Sequence, residues 1–123
     1  MKIKTSNLID AQLDWAVAKC EPDDTLAIYF DESTGEPLCH DDWADNQEYK
    51  PSTSWQQGGP IIERESITVG NAGGSWVAGK PWADDFFSAY VCYGPTPLIA
   101  AMRCYVASRL GEEVGVPDEL TQA

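Results

Sequence analysis

Residues 94–111 read GPTPLIAAMRCYVASRLG, and this stretch decides the fold because it specifies its own start, its own stop and its own burial. Thr96 stands at an N-cap position, and Pro97 sits where a helix begins without needing its N–H. Gly111 falls where a left-handed C-cap residue is wanted. Between them only Arg103, Ser108 and Arg109 are clearly polar. A helix that is apolar around most of its circumference belongs at the centre of a fold. The stretch therefore predicts a central helix over 97–110, with an N-terminus prepared to meet an anion.

Working outward, a first helix is predicted over 10–20. Asp10 is its expected N-cap, Leu13, Ala16, Val17 and Cys20 repeat at helical spacing, and Trp15 adds a second apolar flank. Pro22 ends it, and Lys2 to Thr5 leads into it as a short strand. Leu26 to Phe30, LAIYF, reads as a strand with turn chemistry behind it at Asp31 to Gly35. Leu38 to Trp55 holds no period and is expected to form a long acidic excursion with one short helical turn near Asp41 to Asp45. Gly58, Gly59 and Pro60 predict a tight turn, and Ile61, Ile62 and Ile67 to Val69 strand material.

Gly70 to Ser75 reads as a loop, Trp76 to Ala78 as a strand edge and Gly79 to Pro81 as another turn. Asp84 to Tyr93 suits a strand, or a single helical turn leading into one. Beyond Gly111 the tail, 112–123, is expected to fray after the break at Pro117. The whole predicts a single α+β domain over 1–123, two helices packed on a small, mostly antiparallel sheet.

The chain has 123 residues, enough for one core, and 43% of them are hydrophobic. Its formal charge of −12 argues against direct nucleic-acid binding or attraction to an anionic membrane surface. The charge is unevenly placed. Glu21 to Glu48 contains ten acids and no Lys or Arg, whereas from Pro51 to Gly111 four acids (Glu63, Glu65, Asp84, Asp85) meet four bases (Arg64, Lys80, Arg103, Arg109). A small anionic ligand would be accepted in that neutral half. No apolar h-region opens the chain and no window approaches a membrane span, so a cytosolic location is expected. Cys20, Cys39, Cys92 and Cys104 lack CxxC spacing and are expected as thiols, Cys20 and Cys104 as small buried hydrophobes.

Leu13-Asp14-Trp15-Ala16-Val17-Ala18-Lys19-Cys20, then Pro51-Ser52-Thr53 with Trp55, then Gly58-Gly59-Pro60-Ile61-Ile62-Glu63-Arg64, then Gly94 through Leu110, resemble in the same order the NinX-like proteins of tailed bacteriophages and prophages. That family is one of unknown function, so the resemblance carries over no catalytic residue. It implies a small phage protein made inside a bacterial cell and accessory to growth.

Catalytic signals are sparse. His40 is the only histidine, which removes most acid–base mechanisms that run near neutral pH. Cys39-His40 is a poor chelating pair with no further ligands signalled, so neither metal nor cofactor is expected. No GxSxG or P-loop pattern occurs. Asp41-Asp42 and Asp84-Asp85 suggest a magnesium-dependent hydrolase, but a solvated acidic surface is the favoured reading. The enzyme reading is the weaker one.

Aromatic residues carry more. Five Trp and five Tyr exceed what a core of this size hides, because indole and phenol tips need polar partners. Trp55, Trp76 and Trp82 are expected in Gly- and Pro-rich loops of the neutral half, and loops on a rigid scaffold are where recognition residues commonly sit. With Thr96 capping, Leu98 and its neighbours offering amides, and Arg64 and Arg103 supplying fixed positive charge, a binding site is expected at the start of the last helix. Phosphate would lie there, with a base stacked on an aromatic ring. The competing reading is that Thr96 merely caps, Arg64 and Arg103 pair with Glu63 or Glu65, and the tryptophans are core.

The leading functional expectation is a non-enzymatic phage accessory protein that counters or modulates the host by sequestering a small anionic ligand such as a signalling nucleotide. The alternative is a protein-binding module whose acidic Glu21 to Glu48 face docks on a basic host protein, in the manner of a nucleic-acid mimic. A nucleotide-signal hydrolase stands third. More apolar surface than one small domain covers also predicts a homo-oligomer.

Overall fold

The computed structural model describes residues 1–21, 26–30, 37–41, 47–82 and 85–120, with backbone alone at 26–30, 37–41, 47–48, 72, 80–82, 85–90 and 119. β1 (Lys2–Lys4) leads through a 3-10 turn at Thr5–Asn7 into α1 (Asp10–Cys20), and β2 (Leu26–Phe30), β3 (Pro37–Asp41) and β4 (Gln47–Glu48) follow. Then come α2 (Trp55–Glu65), β5 (Thr68–Ala72), β6 (Ser75–Trp82), β7 (Asp85–Gly94), α3 (Pro97–Leu110), β8 (Glu113–Gly115) and a last 3-10 turn at Asp118–Leu120. The fold is α+β, and among the described residues every strand pairing is antiparallel, in three small sheets of order β1-β8, β2-β3-β4 and β5-β6-β7.

α3 is the centre. Leu98 to Met102, Cys104, Tyr105 and Val106 are buried, and the helix packs against β6 and β7 on one side and α1 and α2 on the other. Each large apolar side chain so enclosed contributes roughly 1.5–3 kcal/mol. Thr96 Oγ1 accepts the Ile99 N–H at 3.1 Å, so the cap is a real bond. Gly111 closes the helix at φ 89°, ψ −163°, a positive-φ conformation that needs glycine but is not the left-handed pair expected of a C-cap. At the other end of the hairpin-like return, a Cβ on Gly94 would sit 2.7 Å from the Ala100 nitrogen. Only glycine lets β7 approach α3 so closely.

α1 buries Leu13, Ala16 and Val17 as its spacing predicts, but Asp10 is its first residue and not its cap. Ile9 holds the cap position without a side-chain bond, and Asp10 has φ 51°, the left-handed region that a short polar residue tolerates. Asp14 is buried and accepts the Ser52 N–H at 2.9 Å, which ties α1 to the segment that enters α2.

The largest correction concerns Gly58-Gly59-Pro60, expected as a tight turn and found inside α2. A proline there removes an intrahelical hydrogen bond and costs about 3 kcal/mol in isolation. Tertiary packing outweighs it. Gly58 and Ile61, one turn apart, are the buried face, and a Cβ on Gly58 would run into the Pro51 carbonyl oxygen and lie 2.7 Å from Leu98 Cδ2. Ile61 and Ile62 are accordingly helical, not strand. Ser66 at φ 55° ends the helix, and the Ile67 N–H reaches back to the Ile62 carbonyl at 3.1 Å in a Schellman-type closure.

Other expectations shift by smaller amounts. The segment read as an acidic excursion from Leu38 contains β3 and β4, so Asp41 is in a strand; residues 42–45 of the expected helical turn lie outside the described residues. The Gly70 to Ser75 loop shrinks to Gly73-Gly74, whose φ values of 63° and 96° suit a two-residue hairpin turn. Trp76 to Ala78 is no edge, because β6 is the middle strand and continues through Gly79 to Pro81 to Trp82. Asp85 to Gly94 is a strand throughout.

The tail expected to fray is instead tied down as far as Leu120. β8 pairs with β1, the Val116 N–H donates to the Met1 carbonyl at 2.8 Å, and Gln12 Nε2 donates to the Leu120 carbonyl at 3.0 Å. Val114, Val116 and Leu120 are buried, which repays the ordering of that backbone.

Candidate functional site

Two residues along a helix turn it through about 200°, so Arg103 and Tyr105 leave α3 on opposite flanks. Each flank opens onto a cleft. The clefts differ in charge balance, and that difference decides which of them is the better candidate.

On the Tyr105 flank, a cleft of about 480 Å³ is lined by Cys20, Arg64, Glu65, Tyr105 and Arg109. Arg64 donates through Nη2 to Glu21 Oε1 at 2.9 Å and to the Tyr105 hydroxyl at 3.1 Å, and through Nε to Glu65 Oε2 at 3.0 Å. Arg109 Nη2 donates to Glu65 Oε1 at 3.1 Å. The Tyr105 hydroxyl donates to the Cys20 carbonyl at 3.2 Å. Both guanidinium carbons lie near the Tyr105 ring, at 5.7 Å for Arg64 and 5.6 Å for Arg109. Two cations thus meet two carboxylates around one phenol, and the charges cancel within the protein. The hydrogen bond that Arg64 donates to Glu21 holds its guanidinium above the usual range, while burial pushes the Tyr105 hydroxyl up. Burial also pushes the Cys20 thiol up to about 12, so it is a poor nucleophile near neutral pH. This flank joins α1, α2 and α3; its cations are already engaged.

On the opposite flank Arg103 Nε donates to the Leu8 carbonyl at 2.9 Å and Nη1 to the Tyr93 carbonyl at 2.8 Å. Both partners are neutral backbone groups, and no carboxylate pairs with this guanidinium among the described residues. Burial pushes its pKa down from the ordinary arginine value, though an arginine keeps its charge. A cleft of about 390 Å³ opens here, lined among others by Ser6, Ser75, Cys92, Tyr93 and Arg103. Tyr93 is 58% exposed and Val91 53%, so the outward face of β7 offers an aromatic ring and an aliphatic side chain beside the arginine.

The predicted site residues are therefore divided. Arg103 faces one cleft and Arg64 the other, with α3 between them. Arg64 does pair with Glu65, as the competing reading expects, whereas Arg103 bonds to backbone carbonyls and not to Glu63 or Glu65. Thr96 caps α3 and Leu98 is buried against Gly58. Trp55 opens α2 and is 56% exposed, and Trp76 packs half-buried against the core. Trp82 has its backbone at the end of β6, and its side chain lies outside the described residues, as do those of His40, Cys39 and the acids from Asp23 to Glu48. Asp84 also lies outside them.

Of the anion-facing amides, that of Ile99 is taken by the Thr96 hydroxyl and that of Ala100 by the Thr96 carbonyl at 3.1 Å. Sequence reasoning missed Ser6, Ser75, Cys92 and Tyr93 as neighbours of Arg103. Only the outward alternation of Val91 and Tyr93 along β7 could have signalled part of that set.

Among the described residues, no group of three or more His, Cys, Asp or Glu is placed to hold a metal ion, and no helix is long and apolar enough to cross a membrane. Fold and site together define a small α+β protein organised about one buried helix, with an arginine in a cleft on one flank that pairs with no carboxylate among the described residues. The family model described as Bacteriophage P22, NinX matches residues 4–109, and the chain belongs to that family. The match begins in β1 and ends in the last turn of α3, so it includes both clefts. None of the curated proteins compared with the chain matches it significantly.

Proposed function

We propose that this phage protein acts by binding a small anionic ligand, of which a nucleotide is the class in view, in the cleft at Arg103. The observation that carries the reading is the state of that side chain: half-buried, positively charged and, among the described residues, bonded only to the carbonyls of Leu8 and Tyr93. A cation taken from water without an anionic partner costs free energy, and a bound phosphate would remove that cost. Ser6 and Ser75 add hydroxyl donors, and the exposed ring of Tyr93 offers a surface on which a base can stack. At about 390 Å³ the cleft falls within the size range of small-molecule sites. Binding without turnover would sequester the ligand, which suits an accessory role against a host nucleotide signal in the bacterial cytosol.

Titration calorimetry with a panel of cyclic and linear nucleotides tests this. The expected result is saturable heat for at least one member, weakened at least about tenfold by Arg103→Ala, which is the loss of one charge-assisted contact worth about 1.5–3 kcal/mol. Absence of heat across the panel at high micromolar concentration, or binding unchanged in Arg103→Ala, rejects it.

A further inference from the structure

The chain reverses at Pro95-Thr96, so α3 runs back along β7, and the contacts between the two elements keep a regular register. Gly94 lies against Ala100, where a Cβ would come within 2.7 Å of the Ala100 nitrogen. Tyr93 meets Arg103 through its carbonyl at 2.8 Å. From Gly94, a step of two residues back along the strand covers about 6.6 Å and keeps the same face. From Ala100, a step of four residues along the helix covers about 6 Å and also keeps the same face. The two steps end at Cys92 and Cys104. Both are thiols in this structure; Cys104 is fully buried, while Cys92 is half-buried and lines the cleft that contains Arg103.

We infer that Cys92 and Cys104 form a redox-active dithiol, in which Cys92 takes up a low-molecular-weight disulfide from the cleft and Cys104 resolves the adduct to an intrachain disulfide. The Cys92 thiolate attacks one sulfur of the incoming disulfide, forms a mixed disulfide and expels one thiolate. Cys104 then loses its proton to that expelled thiolate or to solvent and attacks Cys92 Sγ. The Cys92–Cys104 bond forms, the bond to the adduct breaks, and a second small thiol leaves. Two protein thiols are oxidised and one small disulfide is reduced to two thiols, so atoms and electrons balance.

The surroundings suit these roles. A hydrogen bond from the Cys104 thiol holds Cys92 below the usual thiol range, with the Arg103 charge adding to it against the opposing effect of burial. Cys20 stands in contrast, its thiol pushed up to about 12 by burial. Burial of Cys104 behind Cys92 excludes direct attack by external reagents and leaves it as the resolving group. The dithiol does not depend on the anion reading, because no ligand other than the disulfide enters its chemistry.

The experiment is oxidation of the full chain with glutathione disulfide near neutral pH, followed by alkylation and peptide mapping by mass spectrometry. A peptide pair linked through Cys92 and Cys104, and its disappearance on reduction with dithiothreitol, is expected. In Cys104→Ala the reaction should stop at a glutathione adduct on Cys92, and in Cys92→Ala Cys104 should stay unmodified. Cys92 should also be labelled by iodoacetamide at least about tenfold faster than Cys20 in the reduced wild type. Failure of the wild-type chain to form the Cys92–Cys104 link, or labelling of Cys92 no faster than Cys20, overturns the inference whatever the variants do.

Discussion

Adjacent glycines in α2 should respond to alanine with opposite signs. Gly59 is in a helix with negative φ, and a Cβ there would meet nothing closer than Trp55 Cε3 at 4.0 Å, an ordinary van der Waals contact. Gly59→Ala should then gain about 0.8–1 kcal/mol, the difference in helix propensity. Gly58→Ala has the same propensity gain, but its Cβ collides with the Pro51 carbonyl and with Leu98 Cδ2 at 2.7 Å. Pro51 cannot withdraw easily, because the next residue donates its N–H to the buried Asp14 carboxylate at 2.9 Å. Overpacking of this kind costs about 1–3 kcal/mol, and a backbone collision belongs at the upper end, which leaves a net loss of about 2 kcal/mol.

The two variants should therefore differ by about 3 kcal/mol. With a urea m-value of about 1.5 kcal/mol/M, that is roughly 2 M between their denaturation midpoints, one above and one below wild type. Urea melts followed by far-UV circular dichroism give the comparison directly. If residues 58–60 formed the tight turn that Gly-Gly-Pro suggests, alanine at 59 would destabilise the protein. A midpoint for Gly59→Ala below wild type, or equal shifts for the two variants, refutes the packing argument.

Two further outcomes follow from α3 and its flanks. Thr96→Ala removes the Oγ1 that accepts the Ile99 N–H and should lower stability by about 1 kcal/mol in the same urea assay, whereas Thr96→Ser, which keeps the oxygen, should lose much less. Cys20 has a folded-state pKa raised by burial from 9.0 to about 12, so the unfolded chain loses this proton first as pH rises. Its contribution is complete below about pH 9 and declines as pH climbs toward 12. Tyr105, also raised by burial, adds to the same alkaline loss. Cys20→Ala should flatten that decline relative to wild type in melts repeated across the alkaline range, and an unchanged slope would remove Cys20 as its source.

The legible parts of the fold were those coded locally. Thr96-Pro97 and Gly111 mark the limits of α3 by backbone chemistry that needs no neighbour, and Leu13, Ala16 and Val17 mark α1 by a spacing that only a helix uses. α2 was hidden because its code is not local. Gly58, Gly59 and Pro60 carry poor helix propensity, and the reason for them is a Pro51 carbonyl and a Leu98 side chain that sequence distance conceals. The tail was hidden for a similar reason, since Val114, Val116 and Leu120 look like an isolated apolar scatter until β1 supplies the partner strand. At the candidate site, the sequence picked out Arg64 and Arg103 as the cations of the neutral half but could not tell that α3 stands between them.

By itself the sequence determined that this is an α+β protein built on one buried helix, and it pointed to the phage family through motifs spread from α1 to α3. Such properties are set by residue type and short-range periodicity. Only the tertiary structure decided which charges are spent and which remain. Glu21 and Glu65 neutralise Arg64 and Arg109 around Tyr105, while among the described residues Arg103 meets carbonyls alone, because pairing depends on what the folded chain brings within about 3 Å. The same holds for Cys92 and Cys104, twelve positions apart in the chain and made neighbours by the return of α3 along β7.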